Sequence, residues 1–301
     1  MATGMERTEP PLVVIVGPTA SGKTALAVEL AGEHDGEIIC ADSRTVYRDM
    51  DIGTAKPTMS ERAMVPHWGL DLVAPDERFT AADFQQYALA KIAEIRARGR
   101  VPFLVGGTGL YVDAVLFGYQ FGSESNPEIR SQLEKMTIIQ LQNYCVENNI
   151  KLPKNDTNKR YLVRAIEQKG VNHKRNDDIL LNTIVVSIST DREILRRRIE
   201  GRSEQIFTNG VVEEARKLGE LYGWDSEAMT GNIYRIARHY LNGELTFEEA
   251  KQQFITKDWQ LAKRQLTWLR RNPHIQWLSL AEAEQYIGKQ LFDYEQKCAT
   301  V

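Results

Sequence analysis

Short, mainly apolar runs separate longer stretches in which apolar residues recur at helical spacing. Leu12 to Val16, Glu37 to Ala41, Val101 to Val105 and Thr183 to Ser189 are such runs, and Ile275 to Leu280 is a last one. Runs of this length, rich in valine and isoleucine and bounded by turn residues, predict strands buried on both faces of a parallel sheet. Pro102 fits near the start of its strand, where no ladder donor is needed. Between the first two runs, Ala25, Leu26, Val28, Leu30 and Ala31 predict an amphipathic helix. Thr80 and Asp83 form a capping-box pattern, with Asp in the usual Glu position. The helix they open carries Phe84, Tyr87, Ala88, Ile92 and Ile95 on one face and stops at Gly99. Tyr47 to Pro57 and Pro66 to Asp71 read as irregular loops, and the lone His67 in the second reads as structural.

The pattern changes from residue 121 to 183. Asn126 caps a helix opened by Pro127 and carrying Ile129, Leu133 and Met136; Ile139 to Asn149 and Thr157 to Lys169 predict two more. No strand pattern appears there. The prediction is an α/β fold: a P-loop NTPase-like parallel sheet flanked by helices, formed by residues 1–120 and 184–301, with a small all-helical insertion at 121–183. Beyond the insertion, Asp191 caps a helix bearing Arg192, Arg196, Arg197, Arg198 and Arg202, a charge run that reads as solvated surface or as a guide for a polyanion. Helices follow at Asn209 to Leu221 and Asn232 to Leu241. Thr246 opens a long helix that ends at Pro273 and interleaves Lys257, Gln260, Lys263, Arg264, Gln265, Trp268 and Arg271. That mixture suits phosphate contacts and base stacking. A polar helix closes the chain.

Composition narrows the class. A chain of 301 residues with 42% hydrophobic and 26% charged residues is ordinary for a globular protein. A formal net charge of −3 gives no global sign of nucleic-acid binding, so any basic surface is local. Cys40, Cys145 and Cys298 match no zinc spacing and suit a reducing compartment. Glu6, Arg7 and Glu9 precede the first strand where a secretory leader would be apolar. With no run of membrane-spanning length, the expectation is a cytoplasmic protein that engages no membrane.

The strongest chemical signal is Gly17-Pro18-Thr19-Ala20-Ser21-Gly22-Lys23-Thr24, the phosphate-loop pattern set between a strand and a helix. Its glycines let backbone N–H groups curl round a phosphate, and the helix N-terminus favours the negative charge. Lys23 is placed to reach the outer phosphate and Thr24 to hold a magnesium ion. Asp42 follows the second strand, at the ligand face of an open α/β sheet, where an acid serves chemistry or merely caps a loop. A Walker-B strand would end in aspartate. The strand at Val101 ends instead in Gly106-Gly107-Thr108-Gly109. Arg160 and Arg164, four apart, share a helix face.

These segments together resemble the tRNA dimethylallyltransferase family, of bacterial type. The resemblance rests on the phosphate loop, Ala41-Asp42-Ser43, Asp51-Ile52-Gly53-Thr54-Ala55-Lys56-Pro57, Pro66-His67, Ala81 to Phe84, Gly106 to Tyr111, Arg164 to Glu167 and Gln260 to Leu269. It implies transfer of a dimethylallyl group from dimethylallyl diphosphate to N6 of the adenosine 3′ to the anticodon of tRNA, with magnesium. It implies Asp42 as base, Thr108 beside the reacting amine or the diphosphate, and Lys23 on the leaving group. Diphosphate contacts fall on Gly17, Thr19, Ala20, Ser21, Gly22, Lys23 and Thr24. Contacts to the anticodon stem-loop fall on Asp42, Ser43, Arg44, Thr45, Thr108, Arg130, Arg160, Arg164, Gln260, Lys263, Arg264 and Gln265. The family usually acts as a monomer. Four positions depart from its pattern. Thr45 replaces an adenine-reading glutamine, Thr230 and Trp259 replace arginines, and Asn232-Ile233-Tyr234 replaces an Ile-Gly-Tyr segment; Arg235 and Lys257 are candidates to compensate. Three alternatives stand beside this expectation: a phosphate-loop small-molecule kinase, a prenyltransferase of free adenine nucleotides, and an RNA-binding protein switched by a nucleotide.

Overall fold

A computed structural model describes residues 9–121, 126–169 and 175–299. The stretch with Glu6 and Arg7 lies outside them. Among the described residues, six parallel strands form one sheet: β1 (Leu12–Val16), β2 (Gly36–Cys40), β3 (His67–Trp68), β4 (Val101–Gly106), β5 (Thr183–Ile188) and β6 (Gln276–Leu278). Their order across the sheet is β3-β2-β4-β1-β5-β6. β1 sits between β4 and β5, with Val14 opposite both Leu104 and Val185. Every residue of β1 is fully buried, as its unbroken apolar run requires.

Helices α1 (Lys23–Glu33) and α12 (Leu280–Ala299) cover one face of the sheet. Leu26 and Leu30 of α1 and Ile287 and Leu291 of α12 join Val13, Ile15 and Ile38 in one core. Each such side chain contributes about 1.5–3 kcal/mol by leaving water. Helix α3 (Ala81–Ala97) packs against β2 and β4, and also against α4 (Gly109–Leu116). It buries Phe84, Ala88, Ile92 and Ile95, and Phe84 stacks on Tyr111 at 4.2 Å. The Thr80–Asp83 capping box is formed, and Gly99 adopts φ 74° after the helix. α8 (Arg192–Thr208), α9 (Val211–Tyr222), α10 (Asn232–Leu241) and α11 (Phe247–Leu269) form a helical layer joined in part by Phe207, Phe247 and Phe254.

The segment at residues 117–178 is a compact unit of its own. It contains α5 (Pro127–Lys135), α6 (Ile138–Glu147) and α7 (Lys159–Glu167), packed on Leu133, Leu141, Cys145, Leu162 and Ile166. Asn126 accepts from the N–H groups of Glu128 and Ile129, as its capping position predicts. Both boundaries fall a few residues ahead of the composition change. Leu116 O accepts from Leu180 N on the sheet side, and Phe117 O accepts from Asn176 N on the other.

Three elements differ from the periodicity reading. Pro66 to Asp71 contains β3, a two-residue edge strand that pairs with Ile38 and Ile39. α2 (Met59–Met64) is capped by Thr58 and Glu61 but buries no residue, so no apolar stripe announces it. α4 is apolar on nearly every face and has no amphipathic period to detect.

Candidate active site

The C-terminal ends of β1, β2 and β4 open on one crevice of about 1140 Å³. The loop after β1 bends through Ala20 at φ 61° and reaches α1 through Gly22 at φ 94°, the left-handed cap residue of that helix. A left-handed alanine costs about 1–2 kcal/mol, so the surroundings must hold the loop in shape. They do so from two helices, α11 and α8. Gln265 on α11 accepts from Thr19 N at 2.9 Å, and its amide donates to Gly107 O at 3.1 Å. Arg198 on α8 donates to Ser21 O at 3.0 Å. Arg202, one turn further along α8, donates to Thr19 Oγ1 at 2.5 Å.

Lys23 folds back to donate to Pro18 O at 3.2 Å. Burial pushes its ammonium down to about 8; the carboxylates of Asp42 and Asp258 pull it up, and Arg202 pushes it further down. The lysine is therefore an uncomfortable cation inside a cradle of backbone donors. An anion with more than one charge relieves that discomfort. Thr24 also lines the crevice, and its hydroxyl makes no hydrogen bond among the described residues.

The opposite wall is built from the ends of β2 and β4. Asp42 Oδ1 accepts from Arg44 N at 2.8 Å, and its second oxygen has no partner among the described residues. Thr108 Oγ1 accepts from Ser43 N at 3.0 Å and lies 3.4 Å from Ser43 Oγ. Thr108 N donates to Ala41 O, so carboxylate and hydroxyl stand on one short bridge between the strands. Glycine makes this approach possible. A Cβ on Gly106 would lie 2.0 Å from Ala41 O, one on Gly107 2.4 Å from the Gln265 amide, and one on Gly109 2.2 Å from the Trp268 ring. The glycine run that replaces a Walker-B aspartate is thus a packing solution. It brings β2, β4 and α11 together beneath the crevice.

A third wall is the Asp51–Pro57 loop. Glu214 of α9 accepts from the backbone N–H groups of Asp51, Ile52 and Gly53 and from Tyr234 Oη. The buried Lys56 donates to Tyr47 O, Asp51 and Asp71. His67 donates from Nδ1 to Val65 O at 2.7 Å and does not line the crevice, as its structural reading predicts.

Among the predicted contact residues, Asp42, Ser43, Arg44, Thr45, Thr108, Arg264 and Gln265 line this crevice with Thr19 to Thr24 of the phosphate loop; Gly17, Gln260 and Lys263 do not. Arg130, Arg160 and Arg164 belong to the helical unit. Arg130 and Arg164 both hold the carboxylate of Glu167, while Arg160 is exposed and has no carboxylate partner among the described residues. Neither Arg235 nor Lys257 lines the crevice. Thr230 receives the guanidinium of Arg44, which also donates to Glu227 O and Ala228 O. Trp259 packs with Leu195, Ile199 and Ala20 instead of facing the site. Periodicity missed Asp258, Glu214 and Tyr234, and left Arg198 and Arg202 open between solvated surface and a guide for a polyanion. Their partners lie far away in sequence, and the spacing of Arg198 and Arg202 on one helix face was the only local signal.

Fold and site together define a phosphate-loop enzyme whose loop shares a crevice with the carboxylate of Asp42. The sequence pattern of the family described as "IPP transferase" matches residues 45–272, well over half of the chain. A tRNA dimethylallyltransferase of Roseiflexus sp. (strain RS-1) is 41% identical over 88% of this chain and 92% of its own length. One from Bacillus pumilus (strain SAFR-032) is 36% identical over 92% of both. The crystal structure of a full-length tRNA isopentenylpyrophosphate transferase from Bacillus halodurans superposes with a TM-score of 0.73 at 35% identity, covering 96% of this chain and 99% of that one. A eukaryotic dimethylallyltransferase acting on tRNA, at 22% identity and a TM-score of 0.75, shares the fold. The chain belongs to the IPP transferase family, and it is a prenyl-transferring enzyme.

Proposed function

We propose that this protein transfers a dimethylallyl group from dimethylallyl diphosphate to N6 of the adenosine 3′-adjacent to the anticodon of tRNA, releasing diphosphate. The observation that carries this reading is the unpartnered Asp42 oxygen on the same crevice as the phosphate loop. A kinase would share the loop. The volume, at the upper end for a small-molecule site, favours a nucleobase together with an allylic diphosphate. The exposed Arg160 and Arg264 favour RNA over a free nucleotide.

In this reading the target adenine leaves its stack and enters beside Asp42 and Thr108. The exocyclic amine is a weak nucleophile because its lone pair is shared with the ring. Asp42 takes the N6 proton as the N6–C1 bond forms. The C1–O bond breaks with its electron pair going to the diphosphate, where Lys23 and the loop N–H groups meet the new charge. Thr108 orients the Asp42–Ser43 turn and the amine. Gly17, Thr19, Ala20, Ser21, Gly22 and Thr24 shape the diphosphate cradle.

The donor set fits magnesium arriving with its substrate. No group of three His, Cys, Asp or Glu side chains among the described residues forms a metal site, but the unengaged Thr24 hydroxyl is a hard oxygen ligand beside the loop. Diphosphate oxygens and water would supply the remaining ligands. The ion, when bound, adds positive charge against the leaving group. Arg130, Arg160, Arg164, Gln260, Lys263 and Arg264 supply RNA contacts on the two units. The enzyme acts as a monomer in the cytoplasm, a setting that suits its free cysteines. No helix among the described residues is long and apolar enough to cross a membrane.

One incubation tests the reading: labelled dimethylallyl diphosphate, magnesium and unmodified tRNA, run beside ATP and beside free AMP. Label on the RNA is the expected result. Label on AMP alone, or phosphoryl transfer from ATP, overturns it.

A further inference from the structure

The crevice is bounded by two loops of opposite character. The phosphate loop leads into the N-terminus of α1 and favours an anion. The Asp51–Pro57 loop has spent its donors on the side away from the crevice. Glu214 accepts from the N–H groups of Asp51, Ile52 and Gly53 at 2.9, 2.6 and 2.9 Å, and from Tyr234 Oη at 2.8 Å. Successive N–H groups converging on one point form an anion nest, and here the protein's own carboxylate fills it. Ala55 N and Lys56 N donate back to Ile52 O and Asp51 O, Pro57 has no N–H, and the Thr54 hydroxyl donates to Met50 O. The face left to the crevice is mainly carbon. Gly53, Ala55 and Pro57 line it, together with Ile233 of α10. Ile233 is 4% exposed and packs closely on this loop: a Cβ on Gly53 would lie 3.0 Å from Ile233 Cγ2.

Two arginines fix where this wall stands. Arg202 donates both to Thr19 Oγ1 of the phosphate loop and to Thr54 O. Arg44, next but one after Asp42, donates to Thr230 Oγ1, just ahead of Ile233 in the chain. The wall therefore runs from the phosphate loop to the Asp42 turn, beside the gap that an allylic diphosphate spans in the transfer reading. We propose that Ile233 and the Asp51–Pro57 loop form the hydrocarbon wall of the donor site and set the length of allyl chain the enzyme accepts, with Glu214 as the positioning residue that keeps the loop from yielding. The inference rests on the transfer reading and deepens it. Beyond C1 the donor offers only apolar surface, and the crevice must hold the nucleobase as well. A second isoprene unit then has to pass Ile233 or displace the loop, and displacing it breaks charge-assisted hydrogen bonds to Glu214. A wall discriminates by chain length only if it does not move.

The full-length protein is titrated by calorimetry with dimethylallyl diphosphate and with geranyl diphosphate, and transfer of each labelled chain to unmodified tRNA is followed at steady state. The parent is expected to favour the shorter donor. Ile233→Ala is expected to raise kcat/KM for geranyl diphosphate about ten-fold and to lower that for dimethylallyl diphosphate about three-fold, with the two affinities moving in the same senses. Ile233→Val is expected to shift the ratio the same way by about three-fold, and it decides the question if the alanine variant does not fold. Glu214→Gln is expected to relax the ratio by about three-fold and to raise KM for the donors with KM for the RNA unchanged; a mere brace would lower kcat with both donors alike and leave the ratio unmoved. A ratio altered by less than about two-fold in the folded Ile233 variants overturns the proposal and puts the chain elsewhere, against Ile38, Cys40 and Val105 on the sheet side of the crevice. A parent that accepts both donors equally overturns it as well. If the parent binds the diphosphates but leaves RNA unlabelled, the transfer reading fails, and the role of Ile233 is still decided by the two affinities.

Discussion

Asp42 has one carboxylate oxygen committed to Arg44 N and one free. The committed oxygen fixes the direction of the free one, which is what a base needs before its substrate arrives. Asp42→Ala is expected to lower kcat by about 10²–10⁴-fold with RNA affinity little changed, measured by single-turnover transfer beside a filter-binding assay. Unchanged turnover would remove the base assignment. Lys23 makes a pH-dependent prediction. In the ligand-free protein its ammonium titrates near 8 because burial disfavours the charge. The cation is fully present at pH 7 and is lost as pH rises through 8, so affinity for inorganic diphosphate is expected to fall by about ten-fold between pH 7 and pH 9. In Lys23→Ala the affinity starts lower and this slope disappears. A parent profile flat to pH 10 would show that the lysine is not desolvated.

At the level of elements, the ends of β2 and β4 decide whether the site exists. A methyl group on Gly106 would meet Ala41 O at 2.0 Å, and Ala41 immediately precedes Asp42. Gly106→Ala is therefore expected to cost about 3 kcal/mol or more and to abolish transfer, because relief requires the two strands to separate beneath the carboxylate. Urea unfolding checks the first effect, and a midpoint within experimental error of the parent would refute the close approach. This glycine also marks the limit of what could be read from the chain. β1, the loop after it and α1 are legible because strand, turn and helix signals are contiguous and local. α10 falls on the residues its period predicts, and the α3 and α11 caps are formed by the residues that announce them. α2 has no buried side to leave a stripe, and the exposed residue of α4, Leu110, is itself apolar and interrupts nothing. The arginine run that holds Arg202 reads as solvated surface or as a guide for a polyanion, and nothing marks Glu214, because helical spacing records which face a residue occupies and says nothing of what stands opposite. Arg202 meets Thr19, Thr54 and Asp258, and Glu214 meets the loop at Asp51 to Gly53; each link joins segments far apart in the chain.

On the scale of the whole molecule, a net charge of −3 must be reconciled with a polyanionic substrate. The cations that serve RNA must be concentrated, and those already neutralised contribute little. In the helical unit, Arg130 and Arg164 share the buried Glu167 carboxylate, whereas Arg160 stands exposed beside Tyr161 on the same helix. A phosphate approaching this face meets one uncommitted guanidinium and one partly satisfied one. Each cation that neutralises a phosphate releases condensed counterions, so its loss appears in the salt dependence of binding as well as in affinity. Replacing Arg160 and Arg164 together by Ala is expected to weaken tRNA binding and to reduce the slope of log K against log salt by between roughly one and two, the lower value applying if Glu167 keeps Arg164 from the phosphates. Arg160→Ala alone then accounts for most of the change. Equilibrium binding over a range of potassium chloride concentrations measures both quantities. Equal slopes for parent and double variant would return the pair to solvated surface and move the search for the RNA footprint to Arg264 and its neighbours at the crevice.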